Sequence, residues 1–162
     1  MKLYLAGPMT GIPEHNVPAF DHAAAQLRAI GYEVASPADI TREHPQPGIG
    51  ADGSIDEAAY AILVRLDLVE LLDCAAVIVL PGWSFSRGCK LEIAVAHAIG
   101  LPVYALGEFL VRGFVHAAPL SITPHITLLG PALNLDLPGT HFKMGEPSDT
   151  SGDASRLAMG AT

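Results

Sequence analysis

Hydrophobic positions along this chain fall into short blocks that alternate between two spacings. Lys2–Ala6, Tyr32–Ser36, Ala75–Leu80 and Pro102–Leu106 are brief apolar runs bounded by glycine or proline, the pattern of buried strands. Between them apolar residues recur at helical spacing. Phe20, Ala24, Leu27 and Ile30 follow a helix start at Asn16–Pro18 and stop at Gly31. Ala58, Ile62, Leu66, Val69 and Leu72 belong to a helix expected from about Ile55, where Ser54 and Glu57 make a capping box. That helix is apolar nearly all round, which predicts burial against both a sheet and another chain. Leu91, Val95, Ala98 and Ile99 mark a helix that opens at Gly88 and ends at Gly100.

Residues 38–53 are rich in proline, glycine and charge and read as a long loop, of the kind that serves as a lid or binding loop. Farther on, Phe109–Val115 reads as a short helix and Ile126–Leu129 as a fifth strand. From Gly145 the chain has few large apolar groups and reads as a disordered tail. The expected organisation is one α/β domain over residues 1–144 and a tail over 145–162.

Strands alternating with helices predict a flavodoxin/Rossmann-like parallel sheet of about five strands with helices on both faces. Right-handed crossovers then put every strand-to-helix loop on one edge. Loops 7–11, 37–53 and 81–88 would share that rim, where open α/β sheets bind ligands.

Composition narrows the partners. Half of the 162 residues are hydrophobic and the net charge is −8, with no basic stripe, which excludes a nucleic-acid polymer as partner. A small anion remains compatible, because backbone N–H groups bind one without net positive charge. No apolar run reaches the ~18 residues of a membrane span, and the N-terminus lacks a signal-peptide pattern, so the expected setting is cytoplasmic. Cys74 and Cys89 would lie at opposite ends of one strand, roughly 20 Å apart and too far for a disulfide. The seven histidines are scattered, with no pair at i, i+4, so no metal is expected, and His97 reads as a core or interface residue. Gly7–Gly11 lacks both the full dinucleotide fingerprint and the lysine-serine ending of a P-loop, so no cofactor is expected.

Two carboxylates carry the chemistry. Asp67 stands between Leu66 and Leu68 in an apolar helix, where partial burial would raise its pKa and suit a general acid. Glu70 and Asp73 read as a solvated acidic face. Glu92 is expected in the first turn of its helix, where the ionised form is favoured, as a carboxylate nucleophile requires. The alternative is an ordinary helix-starting glutamate. Together Asp67 and Glu92 form an acid and nucleophile pair of the kind that cleaves glycosidic bonds.

Three motifs in order carry a resemblance. They are Tyr4 before the Gly7 loop in Tyr4-Leu5-Ala6-Gly7-Pro8-Met9-Thr10-Gly11, Asp67 twenty-five residues before Glu92, and Ser86-Arg87-Gly88-Cys89-Lys90-Leu91-Glu92. Over about residues 2–106 the chain resembles the nucleoside 2-deoxyribosyltransferase superfamily, which includes the 2′-deoxynucleoside 5′-phosphate N-hydrolases. Within it, the chain is similar to a branch of small phage and bacterial proteins of the DUF4406 type. The resemblance implies that Glu92 attacks the anomeric carbon and forms a glycosyl-enzyme intermediate. It implies that Asp67 assists proton transfer to the leaving base and that Tyr4 positions Glu92 or the sugar. Ser86 and Gly88 at the helix N-terminus would face the 5′ end of the nucleotide. Gly7, Pro8 and Met9 would line the base and sugar pocket, and Trp83 would stack on a base or be a half-exposed loop aromatic. The phosphate hydrolases carry an arginine in the first loop where this chain has Thr10, for which Arg87 is the candidate substitute. The transferases complete their site from a neighbouring subunit, for which Asn134 and the surroundings of His141 are candidates here, so a homodimer or higher homo-oligomer is implied.

The expected activity is cleavage of the N-glycosidic bond of a (deoxy)nucleoside or its 5′-monophosphate, resolved by water or by a second base. The alternatives are a nucleotide-binding sensor without turnover, and a glycohydrolase of an NAD- or ADP-ribose-like compound.

Overall fold

In the computed structural model, residues 1–121 are described. The fifth strand expected at Ile126–Leu129, the tail from Gly145, Asn134 and His141 lie outside them. Among the described residues four strands form one parallel sheet: β1 (Lys2–Ala6), β2 (Glu33–Ala35), β3 (Ala76–Val79) and β4 (Val103–Ala105), in the order β2-β1-β3-β4. The helices are α1 (Val17–Ala29), α2 (Pro37–Glu43), α3 (Glu57–Leu72), α4 (Arg87–Ala98) and α5 (Leu106–His116), the last interrupted at Gly113. No helix among them is long and apolar enough to cross a membrane.

Alternation along the strands sorts the core into two layers. Leu3 and Leu5 of β1 and Ile78 of β3 pack with Phe20, Ala23, Ala24 and Leu27 of α1 and Phe109 of α5. Tyr4 and Ala6 point the other way, with Val77 and Val79, against Leu71 of α3 and Cys89, Ile93 and Ala96 of α4. The period of two therefore decides that Tyr4 faces α4 rather than α1. Because β2 and β3 flank β1, the strand order reverses between β1 and β3, and the crevice opens at the C-terminal ends of those strands.

Several elements differ from the sequence reading. The first part of the expected loop 38–53 is α2, which starts with Pro37 at its first position and is tied to α1 by Arg42 on Asp21 and Arg28 on Asp39. The next helix begins at Glu57, capped by the Asp56 carboxylate accepting from the Ala59 N–H (2.8 Å). Ser54 instead spends its hydroxyl on Asp52. Three apolar side chains of α3, Ile62, Val69 and Leu72, are exposed in the single chain. In α4 the buried stripe is Cys89, Glu92, Ile93 and Ala96, one step round from the expected Leu91, Val95, Ala98 and Ile99. Packing chose a face that includes a carboxylate, because Tyr4 offers it a partner. His97, expected as a core or interface residue, is exposed in the single chain. Both cysteines are buried and free.

Candidate active site

Tyr4, buried in β1, donates from its hydroxyl to Glu92 Oε1 at 2.7 Å. Glu92 is the sixth residue of α4, so the first turn holds no acid and the helix terminus does not decide its charge. Burial decides it, pushing the carboxyl up to about 7 while the Tyr4 phenol pulls in the opposite direction. This corrects the expectation of a readily ionised Glu92. Desolvation outweighs one hydrogen bond at a site only 6% exposed.

Asp67 reaches the same cavity from α3. Its carboxyl is buried, Oδ1 has no hydrogen-bond partner among the described residues, and burial, aided by the charge of Glu92, pushes it up to about 8. An unpartnered buried carboxyl is stable as the neutral acid. Burial therefore holds both carboxyls above the ordinary carboxylate range, Asp67 without a hydrogen bond to offset it and Glu92 with the Tyr4 phenol opposing the rise.

The cavity is small, about 60 Å³, lies at the switch point between β1 and β3 and opens to solvent. The first loop brings Gly7, Met9 and Thr10 to it, and the segment after β3 brings Ser86 and Gly88. Gly7 packs closely there, since a Cβ would stand 3.0 Å from the Leu80 side chain, which would have to shift. Ser86 caps α4, its Oγ accepting from the Cys89 N–H at 3.2 Å. Burial pushes the Cys89 thiol up, away from a reactive thiolate.

Four residues of the sequence prediction stand outside the lining: Tyr4, which lies behind Glu92, and Pro8, Trp83 and Arg87. Pro8 contributes its carbonyl, which accepts from Asn16 Nδ2 at 2.9 Å. Trp83 is half-buried against the α3–α4 layer of the core. Arg87 lies over the Tyr60 ring (4.0 Å to its centre) and pairs with Glu57 at 3.1 Å, both charged groups largely exposed. The ion pair holds Arg87 beside a wall of the cavity, and the wall is Tyr60.

Tyr60 and His15 line the cavity and were missed in the sequence. Tyr60 had a signal: Tyr60, Val64 and Asp67 stand at i, i+4 and i+7 on one face of α3. His15 had none, because its placement depends on backbone geometry. Glu14, His15 and Asn16 all adopt left-handed conformations (φ 53°, 50° and 58°), and they alone among the described non-glycine residues have positive φ. Such a conformation costs about 1–2 kcal/mol per residue, less for asparagine. Contacts with the segment 49–55, whose Ile49 and Ile55 form an antiparallel bridge, hold the turn. Gly11 N–H donates to Gly53 O (2.8 Å), Glu14 N–H to Ala51 O (3.2 Å), and His15 Nε2 lies 2.8 Å from Gly50 O.

With this geometry in view, comparison with known proteins places the chain. The family described as Domain of unknown function (DUF4406) matches over residues 1–105. The chain belongs to this family. The match ends at the last residue of β4, so the DUF4406 region contains the whole described sheet and every cavity residue named above. No curated protein matches the chain. Among solved structures, a 2-deoxyribosyltransferase from the psychrotolerant bacterium Bacillus psychrosaccharolyticus is similar, with a TM-score of 0.49 and 22% identity. That match covers 65% of this DUF4406 chain and 71% of the other.

Proposed function

We propose that this chain cleaves the N-glycosidic bond of a (deoxy)nucleoside or its 5′-monophosphate through a covalent glycosyl–Glu92 intermediate. The observation that carries the reading is the convergence of Asp67 and Glu92 on one cavity, with Tyr4 fixed on Glu92 beneath it. A binding site has no need of two buried carboxyls, each costly to ionise; a displacement that needs one neutral acid and one carboxylate does.

In the first step the ionised Glu92 forms a bond to the anomeric carbon as the C–N bond breaks, and the electron pair leaves with the base. Asp67 supplies the proton that the departing base takes up. Tyr4 donates to Glu92 Oε1, so the other carboxylate oxygen is the attacking atom. In the second step water, or the nitrogen of another base, breaks the glycosyl–Glu92 ester, and Asp67 recovers a proton from that incoming group. Water makes the chain a hydrolase and a base makes it a transferase. An oligomer with a second chain is part of this proposal, and the exposed apolar side chains of α3 are the surface that supports it.

The test is a chromatographic assay with a panel of nucleosides and 5′-monophosphates, with and without an added free base, beside Glu92→Ala. The expected outcome is base release by the wild type and none above background by the variant. Exchange with the added base identifies a transferase. Turnover that survives Glu92→Ala, or nucleoside binding with no turnover at all, rejects the mechanism.

A further inference from the structure

His15 is used neither by the fold's core nor by the mechanism above, yet it holds the middle of the strained turn and lines the same cavity as Asp67 and Glu92. Strain concentrated at one cavity-lining residue asks for a reason beyond folding, because the loop could relax it with glycine. One nitrogen of the ring is anchored. A carbonyl only accepts, so the 2.8 Å contact with Gly50 O requires the proton on Nε2. In the neutral ring Nδ1 is then a lone-pair acceptor, and among the described residues nothing donates to it. The backbone of the turn is pinned as well, by Asn16 Nδ2 on Pro8 O and by the bonds of Gly11 and Glu14 to segment 49–55. A cavity-lining imidazole with one nitrogen anchored on a braced turn, and with no partner for the other among the described residues, is placed to contact a ligand.

We propose that His15 is a binding residue of this site, its Nδ1 accepting a hydrogen bond from a donor group of the bound nucleoside. This rests on the nucleoside reading of the site. It assigns specificity, not chemistry, to the first loop: the nucleoside with a donor at the right place is held, and one without it is not.

The test is calorimetry in the Glu92→Ala background, expected to bind without turnover, using 2′-deoxyadenosine and three analogues. Each analogue lacks one of its donors: the 3′-hydroxyl, the 5′-hydroxyl or the base amino group. His15→Asn keeps a residue tolerant of the left-handed turn, and His15→Gly relieves the strain altogether. Both variants are expected to weaken 2′-deoxyadenosine about fivefold to tenfold. The analogue lacking the contacted donor is expected to bind the variants and the parent alike, while the other two lose as much as 2′-deoxyadenosine does. His15→Gly is expected to melt no lower than its parent by more than about 3 °C, which separates lost contact from lost fold. Equal losses for all four ligands, or no loss, overturn the proposal while leaving the functional reading in place. A background chain that binds none of the four, together with a wild type that releases no base from any nucleoside, overturns both.

Discussion

At the scale of single residues, the site depends on one hydrogen bond and two burial penalties. In the proposed mechanism Glu92 attacks as the carboxylate and Asp67 donates as the acid, and their carboxyls are pushed up to about 7 and about 8. The expected pH profile of kcat/KM is a narrow bell, its rising limb set mainly by Glu92 and its falling limb by Asp67. Tyr4→Phe removes the only donor given to Glu92 among the described residues, so its pKa rises further. The rising limb is expected to move up by about one unit, with activity at pH 7 reduced about fivefold. An unmoved limb in the variant would show that Tyr4 does not set the ionisation of Glu92. The resemblance pointed to these three residues in the sequence, but not to their charge states. Those depend on how much water is excluded, which no motif encodes.

At the scale of elements, the first loop and segment 49–55 act as one roof over the cavity. Gly53 sits at φ +90°, and a Cβ there would meet the Ile12 carbonyl oxygen at 2.2 Å. Gly53→Ala is therefore expected to separate the two segments, at a cost of about 1–3 kcal/mol. A melting curve measures the loss, and limited proteolysis should cut first within 49–55. An unchanged melting temperature would mean that the roof closes without this contact. The sequence marked residues 38–53 as a loop for the right chemical reasons, yet missed α2. Seven residues are too few to show a full helical period, and the ion pairs that hold α2 on α1 come from Asp21 and Arg28, far along the chain.

At the scale of the whole molecule, the buried carboxyls make stability depend on pH. Asp67 and Glu92 both have folded-state pKa values above the ordinary carboxylate range. Between pH ~4 and ~8 the folded chain therefore holds more protons than the unfolded chain, and stability falls as pH rises through that window. Below it both states are protonated and the contribution is complete; above about 8 the loss levels off. Asp67→Asn removes the larger share of the effect. Its melting temperature is expected to exceed that of the wild type by several degrees at pH 8 and to match it near pH 4. Melts recorded from pH 4 to 9 test this, and parallel curves for the two chains would show that Asp67 is not desolvated.

What the sequence determined by itself was the alternation of strands and helices, and through it a parallel sheet whose strand-to-helix loops share one edge. Short apolar runs and helical spacing are local properties, legible wherever a segment is long enough to repeat. The order and spacing of Tyr4, Asp67 and Glu92 were legible too, as a resemblance. Tertiary structure alone decided which face of α4 is buried, because the partner of Glu92 lies eighty-eight residues away in β1. It decided that burial rather than a helix terminus governs Glu92. It drew Arg87 onto Tyr60 and left Trp83 half-buried against the core, since both side chains follow the nearest large aromatic or apolar surface. It also bent residues 14–16 into the left-handed turn that carries His15 to the cavity. Charge state, orientation and strain depend on neighbours distant in the chain, and only folding brings those neighbours together.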